Sequence, residues 1–219
     1  GAGRGIGAAC ARGIGRQGAK VVVNDIDVEE AEKTAQAIVA EGGTAIACAG
    51  DVSNWDHAGR LVETCISTFG KIDGLVNNAA LYHIGGVETL DPAISRALVE
   101  VNVLGPMYCT GHAVKPMLAQ GSGSIVNFVS GAHMGMRGMG IYGATKAAGE
   151  LGLRAGCAGN SMTGIVLRAG PIVGAPGFPG ASFRSDRRLE EMVAAALGGR
   201  AIEVVEGEGR QLSGVAAVA

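Results

Sequence analysis

Short apolar runs rich in β-branched residues alternate along this chain with segments of helical period, and that alternation limits the folds open to it. Lys20-Val21-Val22-Val23-Asn24 has the make-up of a buried parallel strand. Residues 28–41 carry Ala31, Ala35 and Ile38 at helical spacing and stop at Gly42-Gly43. Residues 44–48 read as a second strand, and Ser53 as the cap of a helix that reaches Phe69-Gly70. A third strand is expected over 72–76. Asp91-Pro92 pairs an N-cap with a proline at N1 and opens a long helix toward Lys115-Pro116. A strand over 124–129, a helix from Tyr142 to about Cys157 and a strand over 164–167 continue the series. This order predicts an α/β fold: a parallel sheet with helices on both faces. Beyond Gly170, residues 174–180 read as a Gly/Pro loop and 189–197 as a short helix. The loop is either a cover over a site or a plain surface connection.

Composition narrows the function classes. The 219 residues are 47% hydrophobic and 17% charged, enough apolar material for one core. The formal net charge of −2 gives no electrostatic reason to expect nucleic acid as a partner. No apolar run is long enough to cross a bilayer and no signal-like start is present, so a cytoplasmic location is expected. The five cysteines are scattered without a C-x-x-C pair, and the four histidines show no ligand spacing. Neither a disulfide framework nor a metal site is expected.

The 38 glycines exceed the roughly 15 that average usage would give. Their most informative cluster is Gly1-Ala2-Gly3-Arg4-Gly5-Ile6-Gly7. Gly1, Gly5 and Gly7 leave room for backbone to approach a pyrophosphate, and Ile6 begins a helix whose N-terminus attracts it. Asp25 stands 20 residues after Gly5, at the end of the next strand. At that separation a carboxylate reaches the adenosine ribose hydroxyls and repels a 2′-phosphate, which favours NAD over NADP. Asp25 has a competing role as a helix cap, and Arg4 pulls the other way by its affinity for a phosphate. Asp51-Val52 ends the following strand, where it meets an adenine or simply makes a turn.

With these motifs in order, the chain resembles the short-chain dehydrogenase/reductase family over roughly residues 1–173. Gly1-x-x-x-Gly5-x-Gly7 is similar to the family's cofactor loop. Asn77-Asn78-Ala79-Ala80 resembles its N-N-A-G element, Asn102 its helix asparagine, Ser130 its strand-end serine, and Tyr142-x-x-x-Lys146 its Y-x-x-x-K pair. The resemblance implies a Rossmann-like doubly wound sheet and a single dinucleotide-binding and catalytic domain over 1–219. It also implies a homotetramer or homodimer formed through the helices near Asn102 and Tyr142. The activity implied is hydride transfer between NAD(H) and an alcohol or ketone. Tyr142 would be the acid/base, Lys146 would assist it and hold the nicotinamide ribose, Ser130 would bind the substrate oxygen, and Asn102 would hold a relay water. Asn78, Ala79, Ala80, Gly170 and Ile172 would complete the cofactor site. Physical chemistry agrees for the pair, since residues i and i+4 share a helix face. An ammonium about 4 Å from a phenol would lower its pKa by up to roughly three units before desolvation is counted.

Several features depart from that pattern. Ser130 precedes Tyr142 by 12 residues, one fewer than the family's usual spacing. Ala169 stands for a proline and Gly174 for a threonine, and no counterpart of the family's last strand is evident after Gly170. The glycine loop should follow a central strand, yet it begins at Gly1. We therefore expect a preceding segment, short stretches missing from within the sequence, or a different N-terminal arrangement. Tyr82, His83, His133, Met134, Met136, Met139, Phe178 and Phe183 are candidate linings of a fairly apolar pocket. The alternatives kept open are an NADPH-dependent carbonyl or 3-oxoacyl reductase and a catalytically silent dinucleotide-binding module.

Overall fold

The computed structural model describes residues 1–157, 163–169 and 216–218, with side chains described for 1–132 and 135–149. Strand and helix alternate as the sequence predicts. Helix α1 (Gly5–Arg16) leads into β1 (Lys20–Val23), α2 (Val28–Ala40), β2 (Thr44–Ala47), α3 (Trp55–Phe69) and β3 (Gly74–Asn77). Then follow α4 (Pro92–Val99), α5 (Gly105–Ala119), β4 (Ser124–Ser130), α6 (Gly140–Cys157), β5 (Thr163–Ala169) and β6 (Ala216–Val218).

Helix ends follow capping chemistry. Asp91 caps α4 by accepting from the Ala93 and Ile94 amides, with Pro92 at N1. Gly70 closes α3 at φ +88°, a left-handed conformation that suits glycine. The α3 cap is Asn54, which accepts from His57 N, and not Ser53. Ser53 is drawn away by Asp51, whose Oδ1 accepts from both its amide and its hydroxyl. The single long helix expected from Asp91 to Pro116 is two helices joined by a π turn over Glu100–Leu104, and α5 continues past Pro116 to Ala119.

The strands β1 and β2 pair in parallel, as do β3 with β4 and β4 with β5. At the far edge β6 runs antiparallel to β5, so a strand near the chain's end that the sequence did not betray is present. Helices flank the sheet. Val21 and Val23 pack with Ala11, Ala31, Ala35 and Ile38 of α1 and α2. Leu75, Ile125 and Val129 pack with Val62, Cys109 and Met117 of α3 and α5. Residues 124–129 of β4 are all buried, as a strand covered on both faces must be.

The parallel sheet is divided between β1 and β3, which do not pair. A cavity runs between their edges, lined by Val21, Val22, Leu75 and Val76 of the strands and by Cys10 and Cys109 of α1 and α5. At its end sits the Gly1-Ala2 backbone. The amides of Gly1 and Ala2 donate to Asn24 O at 2.9 and 2.6 Å, and Asn78 Nδ2 donates to Gly1 O at 2.6 Å. One extended backbone thus bridges the C-terminal ends of β1 and β3, at the place where a central strand was expected.

Candidate active site

The glycine loop is packed against the ends of β1 and β3 so closely that side chains are excluded. A Cβ on Gly1 would lie 2.7 Å from Ala79 Cα, and one on Gly7 would collide with the Gly1 carbonyl oxygen. Gly5 has φ +58° and open space around it. Helix α1 starts here with Arg4 at its N-cap, no side-chain cap and no acid in the first turn. Its leading N–H groups therefore point at space suited to an anion. Thr34 Oγ1 braces the loop by donating to Gly3 O at 2.9 Å. The structure thus brings together Gly1, Arg4, Gly5, Ile6, Gly7, Asn78 and Ala79, with Ala80 exposed just beyond. These residues fit a dinucleotide's pyrophosphate: close backbone, open N–H groups and no obstructing side chain.

Asp25 sits beside this loop, buried, with its carboxylate accepting from Gly3 N at 2.9 Å and Asp27 N at 3.1 Å. Burial works against its charge, but the Asp27 and Gly3 amides, aided by the Gly1 ammonium and Arg4, hold its pKa below the ordinary carboxylate value. The competing role as helix cap falls to Asp27, which accepts from Glu30 N. Asp27 also engages Arg4, whose guanidinium lies 3.6 Å from its carboxylate. Behind Asp25, Asn24 Nδ2 lies within 3.0 Å of Cys48 O and Gly50 O and 2.9 Å from His57 Nε2. This buried group ties the end of β1 to the end of β2. Its sequence signal is slight: one amide at the end of an apolar run. Asp51 serves the Ser53 turn, and Val52 lies against Gly105.

The second half of the site lies where β4 ends and α6 begins. Tyr142 shares a side-chain hydrogen bond with Ser130, so the short spacing still lets the two meet. Ser130 Oγ also accepts from Ala132 N at 3.2 Å. Lys146 is 6% exposed, donates to Phe128 O at 3.2 Å, and places Nζ 5.7 Å from the Tyr142 ring centre. The expected depression of the phenol is not what this geometry gives. Burial pushes the Tyr142 pKa up, Ser130 opposes the rise and Tyr82 adds to it. Burial likewise pulls the Lys146 ammonium down to about 8. Two half-desolvated groups each resist charging, which outweighs their attraction at this distance.

Asn102 stands in the π turn, 3% exposed. Its Oδ1 accepts from Leu81 N at 2.7 Å, while Nδ2 donates to Leu81 O at 2.9 Å and Thr145 Oγ1 at 3.1 Å. Both N–H bonds are taken, so a relay water would have to meet the remaining Oδ1 lone pair. The asparagine instead clamps the segment after β3 onto α6. Gly170, Ile172, Phe178 and Phe183 lie outside the described residues, as do the side chains of His133 and Met134. Among the described residues no His/Cys/Asp/Glu group could hold a metal, and no helix is long and apolar enough to cross a membrane.

Residues 1–164 match the model of the short chain dehydrogenase family. An uncharacterized oxidoreductase of Thermotoga maritima is 38% identical over 149 residues, 68% of this chain and 59% of that protein. A 3-oxoacyl-(acyl-carrier-protein) reductase of Synechocystis sp. is 39% identical over 149 residues, 67% of this chain and 60% of that protein. The matched part of the chain thus spans less than two thirds of the length of either relative. A metagenomic short-chain oxidoreductase, solved in complex with NADP, is 30% identical with a TM-score of 0.79, covering 90% of this chain and 88% of that one.

Proposed function

Because the chain belongs to the short chain dehydrogenase family, we propose that it transfers a hydride between NAD(H) and an alcohol or ketone, with Tyr142 as the acid/base. The observation that carries this reading is the meeting of Ser130 and Tyr142 one helical turn from the buried Lys146. Ser130 orients the substrate oxygen toward the phenol, and Tyr142 takes the proton from an alcohol or gives one to a ketone. Lys146 holds the ribose next to the reacting carbon, and its charge favours the phenolate once the site is filled. A nicotinamide bound there supplies the hydride chemistry itself. Asn102 keeps the Leu81 segment and α6 in register. The whole of 1–219 acts as one dinucleotide-binding and catalytic domain, in a cytoplasmic homodimer or homotetramer.

NAD is favoured over NADP on two grounds. Asp25 holds a carboxylate at the loop, and Asp27 already engages Arg4, the cation that would meet a 2′-phosphate. An NADPH-dependent carbonyl or 3-oxoacyl reductase is the second reading, supported by the exposed position of Arg4. Competitive titration of NADH against NADPH separates the two, and NADH should bind more tightly. Tyr142→Phe should nearly abolish turnover on secondary alcohols while NADH binding persists. Full activity in that variant would remove Tyr142 from the mechanism. Cofactor binding without turnover by the unmodified protein would instead mark a silent dinucleotide-binding module.

A further inference from the structure

A second aromatic ring lies against the proposed acid/base. The rings of Tyr82 and Tyr142 meet edge-to-face, centroids 5.1 Å apart at 76°. Tyr82 is nevertheless 53% exposed. Its segment is pinned at two places. Asn102 holds both the amide and the carbonyl of Leu81, and Gly85 N donates to Gly138 O at 2.7 Å. Both anchors lead to the surroundings of Tyr142. Gly138 precedes it, and Thr145, bonded to Asn102, donates to the Tyr142 carbonyl at 2.7 Å. Tyr82 thus stands in a short span fixed at each end to the acid/base's own framework.

The free side of this span is apolar and open. Ile84, Val87 and Met136 are 65%, 74% and 44% exposed. Ile84 borders Gly138, and Val87 borders Gly140 at the start of α6. A cluster of exposed apolar side chains beside a reacting group marks a surface that a ligand covers.

We infer that Tyr82 is a positioning and specificity-determining residue: its ring holds that of Tyr142 in place, and its free face takes the apolar substituent of a secondary alcohol or ketone. This rests on the reading of Tyr142 as acid/base. A contact at the ring edge fixes the phenol's direction without using its oxygen, which stays free for Ser130 and substrate. The substrate class that fits is a carbinol flanked by alicyclic or aromatic carbon, not a polyol.

The test compares Tyr82→Ala, Tyr82→Leu, Tyr82→Phe and Tyr142→Phe by two measurements. The first is ultraviolet titration of tyrosinate, with the Tyr142 step identified by its absence in Tyr142→Phe. Loss of the Tyr82 ring lets water reach Tyr142, so its step should fall by about half a pH unit or more in the Ala and Leu variants. The Phe variant should stay nearer the unmodified protein. The second is steady-state kinetics on cyclohexanol and 2-propanol. The Ala and Leu variants should lose about tenfold in kcat on both, with KM rising further for cyclohexanol than for 2-propanol. Tyr82→Phe should recover most of that loss. An unchanged Tyr142 step together with unchanged kinetics in both the Ala and Leu variants would overturn the inference. Turnover surviving in Tyr142→Phe removes the acid/base reading instead, and the titration then still reports whether Tyr82 shields Tyr142.

Discussion

A lysine ammonium that is 6% exposed, with a backbone carbonyl as its near partner, is an expensive group to fold around. Its pKa falls from the ordinary 10.5 to about 8, which corresponds to roughly 3 kcal/mol disfavouring the charged form. The sign follows from linkage. The folded protein releases this proton before the unfolded chain does, so the Lys146 contribution to stability rises as pH climbs from about 8 toward 10.5. Lys146→Met should therefore raise stability below pH 8 by about 2 kcal/mol, after about 1 kcal/mol for the lost Phe128 bond, while destroying activity. Denaturant melts at pH 7 and pH 10 check it, because the advantage should shrink at the higher pH. Asp25 behaves in the opposite sense. Its pKa is depressed, so its charge, and any ribose contact it makes, should persist through the ordinary carboxylate range and fail only at lower pH. Asp25→Ser should shift the NADP-to-NAD ratio of kcat/KM upward by about tenfold or more. An unchanged ratio would shift the selector role elsewhere. Asp25 was legible from its distance to Gly5, but which of two aspartates capped α2 was not. Asp25 and Asp27 are two residues apart at a strand end, and only the direction of the turn separates a cap from a ribose ligand.

At the scale of elements, the π turn over Glu100–Leu104 explains the largest difference between the sequence expectation and the fold. Asp91-Pro92 fixed the helix start because a cap and a proline act locally. Nothing local announces a π turn, since it depends on what lies opposite: here the Leu81 backbone and Thr145, both bonded to Asn102. The proline expected to end the helix does not, because α5 has room for it within its last turn. Similarly, the strand expected over 72–76 runs from Gly74 to Asn77. Ile72 is buried in the core cluster from outside the ladder, its carbonyl accepting from Gln120 Nε2, so its apolarity served packing and not pairing. The Asn102 clamp leads to a prediction. Asn102→Ala removes three bonds at the join between the β3 exit and α6, and should cost about 2 kcal/mol of stability. Hydrogen exchange at the Leu81 amide should quicken more than at the α2 amides. Equal quickening throughout would mean that the bonds serve general stability and not this join.

For the whole molecule, the decisive feature is the division of the sheet between β1 and β3. Both sides of the candidate site hang on it. The dinucleotide loop and Asp25 belong to the β1–β2 side, while Ser130, Tyr142 and Lys146 belong to the β3–β5 side. The order of motifs along the chain was enough to place these groups together, because parallel strands bring their C-terminal ends to one edge. The gap itself follows from pairing. Val21, Val22, Leu75 and Val76 line a cavity between two strand edges whose amides and carbonyls face no partner strand. Gly1-Ala2 already occupies the middle position at one end, bonded to Asn24 on one flank and Asn78 on the other. Backbone joined ahead of Gly1 would run down the gap parallel to both neighbours. Fusing a run of about five valines and isoleucines to Gly1 should raise Tm by several degrees, since it adds ladder bonds and apolar burial on both flanks. A Gly/Ser run of equal length has neither and should leave Tm unchanged. Hydrogen exchange locates the effect: amides of Lys20–Val23 and Gly74–Asn77 should gain protection with the apolar run, and those of α2 should change little. Protection confined to α1, or equal gains from both fusions, would mean the cavity does not accept a strand and the two sheets stand independently.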